Sequence, residues 1–298
     1  MVLSSYFCNK RKRIIIMIKA LFFDIDGTLV SFNTHTIPQS TLNAIAELRK
    51  KGIKLFISTG RPRVAINNLG NLEFDGYITM NGSYCFGEND EVIYKSPIPK
   101  SDVETMLGIL KKERNCPCVI VHEKEMSFCN PNAQTAAFIQ MLKFPDVPEI
   151  SVEDAGKKEI FQLSPFFTLE EEEKYLPLMP HCESSRWYPT FTDIVCKGNS
   201  KQLGMDKIME RFGFTLEETM AFGDGGNDIS MLRHAGIGIA MGNANDTVKA
   251  SANYVTDSVD EDGIWNALKH FRLMEILFYH MIHLLFEQLH HKLQKLHI

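Results

Sequence analysis

Short apolar runs that end abruptly in polar residues recur in the first and last parts of the chain. They lie at 18–23, 53–57, 76–80, 219–222 and 236–240. Stretches with a helical spacing of apolar residues, such as 37–51 and 201–212, separate them. Uninterrupted apolar runs are typical of strands buried on both faces of a parallel sheet. The pattern therefore predicts an α/β fold, with a Rossmann-like parallel sheet and helices on both of its faces.

The pattern changes in the middle of the chain. Two short alternating runs around 87–90 predict a β-hairpin, and a mixture of helices and strands follows it to about residue 189. We therefore predict an inserted α+β domain over 84–189, within a core made of 17–83 and 190–271. Pro62 suits the start of another core helix, which we expect to continue to about Leu69.

Both ends of the chain fall outside this pattern. Met17 could begin a shorter chain, so we expect residues 1–16 to be a disordered extension. The basic run at 9–13 and the apolar run after it resemble a signal peptide, but the apolar run is too short and has no cleavage site. The stretch 272–298 has an apolar helical stripe and predicts an amphipathic helical tail. A metal site among its five histidines would need an acidic or cysteine partner, so we expect ordinary exposed side chains instead.

Composition narrows the class of partner. The chain has 298 residues, with 32 Lys and Arg against 37 Asp and Glu, and a formal net charge of −5. This balance argues against non-specific binding to nucleic acid, and no stretch approaches the length of a membrane span. Seven cysteines without CxxC spacing indicate reduced thiols and a cytoplasmic protein. We expect a monomer or a weak homo-oligomer.

The first apolar run ends in the chemically most informative segment, Asp24-Ile25-Asp26-Gly27-Thr28. Residues i and i+2 of an extended chain point the same way, so Asp24 and Asp26 can face one site. Ligands of open α/β sheets bind beyond the carboxyl ends of the strands, where these residues lie. Two carboxylates this close repel each other unless a cation lies between them, and Mg²⁺ suits such oxygen ligands.

Other strand ends carry polar residues too. Thr59 and Gly60 follow the second run, where a hydroxyl and backbone N–H groups can hold an oxyanion. Arg61 could contact substrate or lie on the surface, and Asn81 could contact substrate or form a simple turn. A loop with two consecutive glycines and three carboxylate or amide side chains, 223–228, follows a later strand and suits a metal ion.

Four motifs now stand in order: Asp24-x-Asp26-Gly-Thr, Ser58-Thr59-Gly60-Arg61, Lys201, and Gly223-Asp224-Gly-Gly-Asn227-Asp228. Together they closely resemble the haloacid dehalogenase superfamily. The inserted domain between the second and third motifs resembles the Cof-type phosphatases of subclass IIB, in particular bacterial hexose-phosphate phosphatases. The resemblance covers about residues 17–271.

The resemblance implies a role for each catalytic residue. Asp24 would attack phosphorus and form an aspartyl-phosphate, and Asp26 would act as general acid and then as general base. Thr59 would hold a phosphate oxygen, and Lys201 would neutralise charge on the nucleophile and the transferring group. Lys197 lies close in sequence and is the rival candidate for the catalytic ammonium.

The resemblance also implies a metal site and a set of substrate contacts. Mg²⁺ would be bound by Asp24, the Asp26 carbonyl and Asp224, with Asn227 and Asp228 acting through water or orienting the lysine. The candidate substrate contacts are Thr59, Gly60, Arg61, Asn81, Asp193 and Lys201. Asp193 follows the insertion, and a structural role as an anchor is equally open for it.

The implied activity is hydrolysis of small phosphate monoesters, with sugar phosphates as the expected substrates. A phosphomutase, as in phosphomannomutases, would return the phosphoryl group to a sugar instead of to water. A third hypothesis, from a different functional class, is a non-catalytic sensor that binds phosphate ligands. Binding alone does not require an acid two residues from a nucleophile, so the Asp24 and Asp26 pair argues against the sensor.

Overall fold

The computed structural model describes residues 17–142 and 147–274. Its strands are β1 (Ala20–Phe23), β2 (Lys54–Ser58), β3 (Gly76–Thr79), β4 (Tyr84–Gly87), β5 (Val92–Lys95), β6 (Cys118–Val121), β7 (Met126–Cys129), β8 (Gln162–Pro165), β9 (Cys182–Tyr188), β10 (Phe191–Cys196), β11 (Thr219–Gly223), β12 (Ile237–Ala240) and β13 (Tyr254–Val255). Its helices are α1 (Gln39–Lys50), α2 (Lys100–Lys112), α3 (Ala133–Leu142), α4 (Val152–Ala155), α5 (Leu169–Tyr175), α6 (Lys201–Phe212), α7 (Ile229–His234), α8 (Asp246–Lys249) and α9 (Gly263–His270).

An eight-stranded sheet forms the core, in the order β13-β12-β11-β1-β2-β3-β4-β5. Its strands from β13 to β3 pair in parallel, and β4 and β5 add an antiparallel edge. Apolar residues of α1 and α9 pack on one face, and those of α6, α7 and α8 pack on the other. The predicted Rossmann-like α/β core with helices on both faces is confirmed.

A second sheet of five strands, in the order β7-β6-β8-β10-β9, forms the inserted α+β domain. One face packs against α2, α4 and α5 through residues such as Cys118 and Ile120. The other face presents Val119 and Val121, which share an apolar cluster with Met80 and Tyr84 of the core. We call this domain the cap, because its second face is turned toward the core strand ends.

The structure moves both predicted boundaries of the insertion. The hairpin of β4 and β5, expected in the cap, extends the core sheet, because β4 pairs with β3 from Gly76↔Gly87 to Thr79↔Tyr84. β10, expected to resume the core, pairs with β8 and β9 inside the cap sheet. Alternating side chains identify a strand but not the sheet edge that it joins, so this difference lies in tertiary pairing.

The predicted helix from Pro62 to Leu69 is wrong. Only a 3₁₀ turn forms, over Arg63–Ala65, and the chain then continues without helical structure. The predicted extension 1–16 lies outside the described residues, as does all of the predicted tail except 272–274. Within the described part of the chain, no helix combines the length and apolar character needed to span a membrane.

Candidate active site

Four parallel core strands end at the same edge of the sheet, and the candidate residues follow them. Asp24 comes directly after β1, and its backbone N–H donates to the Phe222 carbonyl of β11 at 3.0 Å. Thr59 follows β2 and donates its N–H to Ile78 of β3 at 2.8 Å. Three of the four motifs therefore converge because parallel pairing aligns their strand ends.

Lys201 completes the group from the first position of α6. Ser200 caps this helix, since its hydroxyl accepts from the Leu203 N–H. The lysine side chain is fully buried, and its Nζ donates to Oδ1 of Asp24 at 2.5 Å and to Oδ1 of Asp228 at 2.6 Å. The rival Lys197 is exposed and donates to the Pro180 carbonyl at 2.7 Å. The geometry therefore favours Lys201 as the ammonium of this site.

Burial and mutual charge control the ionisation of these groups. Burial, partly offset by Lys201, raises the pKa of Asp24 well above its usual range, and the nearby carboxylates add to the effect. Burial disfavours the charged form of Lys201, but Asp228 and Asp24 outweigh it and raise the pKa of the ammonium. Lys201 therefore keeps its charge, and Asp24 depends on that charge to ionise.

The loop after β11 brings two further carboxylates to the site. Oδ2 of Asp228 accepts from the backbone N–H groups of Asp224 and Gly225 at 3.0 and 2.8 Å. Asp228 thus uses one oxygen to fix the loop and the other to hold Lys201. Asp228 is fully buried, so these bonds make it a positioning residue for the lysine.

Asp224 is held from both sides. Its Oδ1 accepts from the Thr28 hydroxyl at 2.8 Å, and its Oδ2 accepts from the Asn243 amide at 3.1 Å. Asn243 also donates to the Gly27 carbonyl at 2.9 Å, so it links two motifs. Sequence reasoning assigned no role to Asn243, although its place just beyond β12 was a usable signal. Burial and the Asp228 charge raise the pKa of Asp224 to about 7.

The carboxylates Asp24, Asp224 and Asp228 have ligand atoms that all lie within 4.8 Å of one another. Three carboxylates face a single ammonium, so the group carries excess negative charge. A divalent cation with oxygen ligands, such as Mg²⁺, fits both the charge and the donor type. Because Asp228 is committed to Lys201 and the loop, Asp24 and Asp224 are the side chains available to bind the ion directly.

Asp26 and Arg61 form a bidentate ion pair. Nε and Nη2 of Arg61 donate to the two Asp26 carboxylate oxygens at 2.6 and 2.8 Å, and Nη1 donates to the Ala65 carbonyl at 2.8 Å. The Asp26 side chain stays 31% exposed, so it faces the solvent side of the site. Arg61, for which the sequence left open a substrate contact or a surface position, thus orients the second aspartate.

The remaining candidates line the same edge. The Thr59 hydroxyl accepts from the Arg61 N–H at 3.1 Å, and the Asn227 amide donates to Oδ1 of Asn81 at 2.9 Å. Asn81 has a left-handed backbone, with φ 52°. A Cβ on Gly60 would lie 3.3 Å from the Asn81 side chain, so this glycine allows a close approach of the two turns. Asn227 thus links the loop after β11 to the turn that follows β3.

Asp193 lies in the cap sheet. Its neighbours across the strands show which face it occupies, because Gln162 and Ser164 stand opposite Val121 and Val119 on the core-facing side. The Ser164 hydroxyl donates to Oδ1 of Asp193 at 2.6 Å, and the Gln162 amide donates to Ser164 at 3.1 Å. All three side chains are buried. They form a polar row on the face that also carries Val119 and Val121, and only Asp193 of the three was singled out from the sequence.

Comparisons with known proteins agree with this arrangement. The family model for haloacid dehalogenase-like hydrolases matches residues 21–268. The putative phosphatase YkrA of Bacillus subtilis is 36% identical over 86% of this chain and 99% of its own length. The pyridoxal phosphate phosphatase YbhA of Escherichia coli is 30% identical over 83% and 96%. The solved structure of BT4131, a haloacid dehalogenase subclass IIB sugar phosphatase, is 55% identical, with a TM-score of 0.79 and coverage of 85% and 98%.

Proposed function

The chain belongs to the family of haloacid dehalogenase-like hydrolases, and we propose that it is a Mg²⁺-dependent sugar phosphatase that forms an aspartyl-phosphate on Asp24. Its family and its phosphatase relatives make it a phosphoric monoester hydrolase that acts on small phosphorylated molecules. The observation that best supports an aspartyl-phosphate on Asp24 is the buried ion pair between Asp24 and Lys201, with Asp26 two residues along the chain.

In the proposed reaction, an Asp24 carboxylate oxygen bonds to phosphorus as the bond from phosphorus to the sugar oxygen breaks. The leaving alcohol takes a proton from Asp26. A water then attacks the aspartyl-phosphate, loses its proton to Asp26, and releases phosphate and the free Asp24 carboxylate. Lys201 holds Asp24 in place and offsets the charge of the phosphoryl group, and the Thr59 hydroxyl can bind a phosphate oxygen.

The metal requirement is also part of the proposal. Asp24, Asp224 and the Asp26 carbonyl would hold Mg²⁺, with Asn227 and Asp228 contributing through water or through Lys201. The ion supplies positive charge that lets phosphate approach a group of carboxylates. Burial raises the pKa of Asp24 and of Asp224, and a bound cation opposes that effect and favours both ionised carboxylates.

Asp26 can act as general acid only after its pairing with Arg61 changes, because Arg61 donates to both of its carboxylate oxygens. A carboxylate that accepts from Arg61 at both oxygens has no proton to give, so Asp26 must release one of these hydrogen bonds and take up a proton at the freed oxygen before it acts as general acid. Arg61 therefore sets the orientation of Asp26 in the resting site, and substrate must compete for one of its donors. This competition keeps Arg61 among the proposed substrate contacts, together with Thr59, Gly60, Asn81, Asp193 and Lys201.

Sugar phosphates, and hexose phosphates first, are the proposed substrates. The 55% identity to a sugar phosphatase of known structure supports this class. The polar row of Gln162, Ser164 and Asp193 supports it as well, because hydroxyl groups of a sugar need hydrogen-bond partners on the side away from the phosphate. Pyridoxal phosphate, the named substrate of the YbhA relative, belongs in the same test.

The test is phosphate release from a panel of hexose phosphates, pentose phosphates and pyridoxal phosphate, with Mg²⁺ and with a chelator. We expect hexose phosphates to be hydrolysed fastest, only with Mg²⁺, and Asp24→Asn to abolish turnover. Isomerisation of a sugar phosphate without release of phosphate would favour the phosphomutase alternative. Tight binding without either reaction would favour the sensor. Equal turnover by Asp24→Asn would refute the proposed nucleophile.

We further propose a cytoplasmic location, without nucleic-acid or membrane partners, as a monomer or weak homo-oligomer. The cysteines in the described part of the chain are all free thiols, which suits a reducing compartment. Size-exclusion chromatography with light scattering over a range of protein concentrations tests the oligomeric state.

A further inference from the structure

The cap sheet carries two pairs of cysteines that lie directly opposite each other on neighbouring antiparallel strands. Cys182 of β9 faces Cys196 of β10, and Cys118 of β6 faces Cys129 of β7. None of these residues takes part in the site described above. The two pairs differ in their position in the hydrogen-bond ladder, and this difference decides which pair can form a disulfide.

Directly opposed residues in an antiparallel ladder alternate between hydrogen-bonded pairs and closer, non-hydrogen-bonded pairs. The Lys197 N–H donates to the His181 carbonyl at 2.8 Å, so those two residues form a hydrogen-bonded pair. The next pair along, Cys182 with Cys196, is therefore a close pair. A disulfide needs a Cβ separation of about 3.5–4.5 Å, which close pairs approach.

The same counting gives the opposite result for the other pair. The His122 N–H donates to the Glu125 carbonyl at 2.9 Å, which makes those residues a hydrogen-bonded pair. Hydrogen-bonded and close pairs alternate along β6 and β7. Cys118 with Cys129 is the fourth pair after His122 with Glu125, so it has the same type as that first pair. That pair is therefore hydrogen-bonded, and its Cβ atoms stand farther apart.

Exposure favours the same pair through Cys196 alone, because Cys182 is buried. Cys196 is partly exposed at the end of β10, whereas Cys118 and Cys129 are fully buried. Burial raises the pKa of the Cys118 thiol well above its usual range and that of Cys129 to about 11. Burial and the Asp102 carboxylate raise the pKa of Cys182 to about 12, so Cys196 is the thiol suited to react first.

We propose that Cys182 and Cys196 are a disulfide-forming pair, which low-molecular-weight disulfides such as oxidised glutathione can close. The Cys196 thiolate attacks one sulfur of the oxidant, forming a mixed disulfide and releasing one glutathione thiolate. The Cys182 thiol then displaces the second glutathione from Cys196, and its proton leaves with that product. Two protein thiols are oxidised and one glutathione disulfide is reduced to two thiols.

The position of the bond gives it a structural effect. β9 is an edge strand of the cap sheet, and Cys196 is the last residue of β10 before the chain returns to the core. The bond would tie this edge to its neighbour and close a short loop over residues 182–196. Closing a loop restricts the unfolded chain, so oxidation should raise the melting temperature of the cap. This inference does not depend on the proposed substrate or reaction.

The test treats the full chain with oxidised glutathione, blocks the remaining thiols, and maps tryptic peptides without reduction. Cleavage after Lys174, Arg186 and Lys197 places Cys182 and Cys196 in separate peptides, so their bond links two fragments. We expect this linked species in the wild type and in Cys118→Ser, its loss in Cys196→Ser, and its disappearance on reduction. The melting temperature should rise on oxidation in the first two proteins only.

Three results would overturn the proposal. The first is a link between the Cys118 and Cys129 peptides in place of the expected one. The second is a stable glutathione adduct on Cys196 that Cys182 does not displace. The third is full alkylation of both thiols after oxidation, in folded wild-type protein.

Discussion

Replacing Lys201 by Met tests the electrostatic design of the site most directly. Methionine keeps an unbranched side chain of similar length but removes the ammonium that donates to Asp24 and Asp228. The lysine and Asp228 are fully buried, and Asp24 is nearly so, so water cannot replace the lost charge without opening the core. We expect the variant to fold with lower stability and to lose most of its activity.

The size of both effects follows from this burial. Removing one partner of a buried ion pair costs about 3–5 kcal/mol, because a charge stays behind without compensation. Loss of a single group that stabilises transition-state charge lowers kcat by roughly 10²–10³-fold. The matched control is Lys197→Met, which removes an exposed lysine whose partner is a backbone carbonyl. It should cost no more than about 0.5 kcal/mol and leave kcat unchanged.

The stability deficit should also depend on pH. Lys201 lowers the pKa of Asp24, so its removal raises the folded-state pKa further above the unfolded value. The folded variant then binds more protons than the unfolded chain, and its stability rises as the pH falls through the raised pKa. At pH values between the folded-state pKa of Asp24 in the wild type and that in the variant, the stability difference between the two proteins should shrink by up to about 1.4 kcal/mol for each unit that the pH falls.

The assay is urea denaturation of wild type, Lys201→Met and Lys197→Met in the presence of a chelator. Repeating it at several pH values from acid to alkaline measures the loss of stability in each variant and how that loss depends on pH. A chelator is needed because a bound cation would replace part of the lost charge. A Lys201→Met stability within about 1 kcal/mol of wild type at alkaline pH would contradict the buried-pair argument. So would a deficit that does not change with pH, or equal losses in both variants.

Three further predictions address the neighbouring groups. Asp26→Asn should slow hydrolysis of alkyl phosphates by roughly 10²–10⁴-fold and affect an aryl phosphate much less, as measured by kcat on both substrates. Gly27→Ala should weaken Mg²⁺ binding in a titration, because φ is +84° and a Cβ would lie 2.2 Å from Oδ2 of Asp224; Gly52→Ala, with φ +72° and open space, is the control. Since the pKa of Asp224 is raised to about 7, Mg²⁺ binding should release a proton near pH 7 and strengthen as the pH rises through that value, which calorimetry in two buffers detects.

The parts of the site set by strand ends were predictable from the sequence. Asp24 and Thr59 each follow an apolar run, and parallel pairing brings such ends together without further information. Asp224 and Asp228 stood out because two glycines and three polar side chains rarely fill a plain turn. The preference for Lys201 over Lys197 came from the family resemblance and not from the local pattern, since it depends on which lysine begins α6 inside the core and which lies in the crossing loop.

Other features depended on partners that are distant in sequence. Arg61 binds Asp26 across 35 positions, and Asn243 binds Asp224 from beyond another strand. No local pattern encodes either pairing. The helix predicted after Pro62 does not form, because the Arg61 guanidinium donates to the Ala65 carbonyl and holds the chain in another conformation. Tertiary contacts of this kind override a weak helix propensity. The cap boundaries shifted for the same reason, because sheet membership is a tertiary property.

The two chain crossings between core and cap both contact one turn of the core, and this contact fixes the position of Lys201. The outward crossing is held where the Ser96 N–H donates to the Ser83 carbonyl at 2.8 Å. The return crossing passes so close to the same turn that a Cβ on Gly82 would lie 2.1 Å from the Ser200 carbonyl oxygen. Ser200 in turn caps α6, whose first residue is Lys201. The lysine is therefore fixed to the core at its own helix cap, and any hinge must lie on the cap side of this contact.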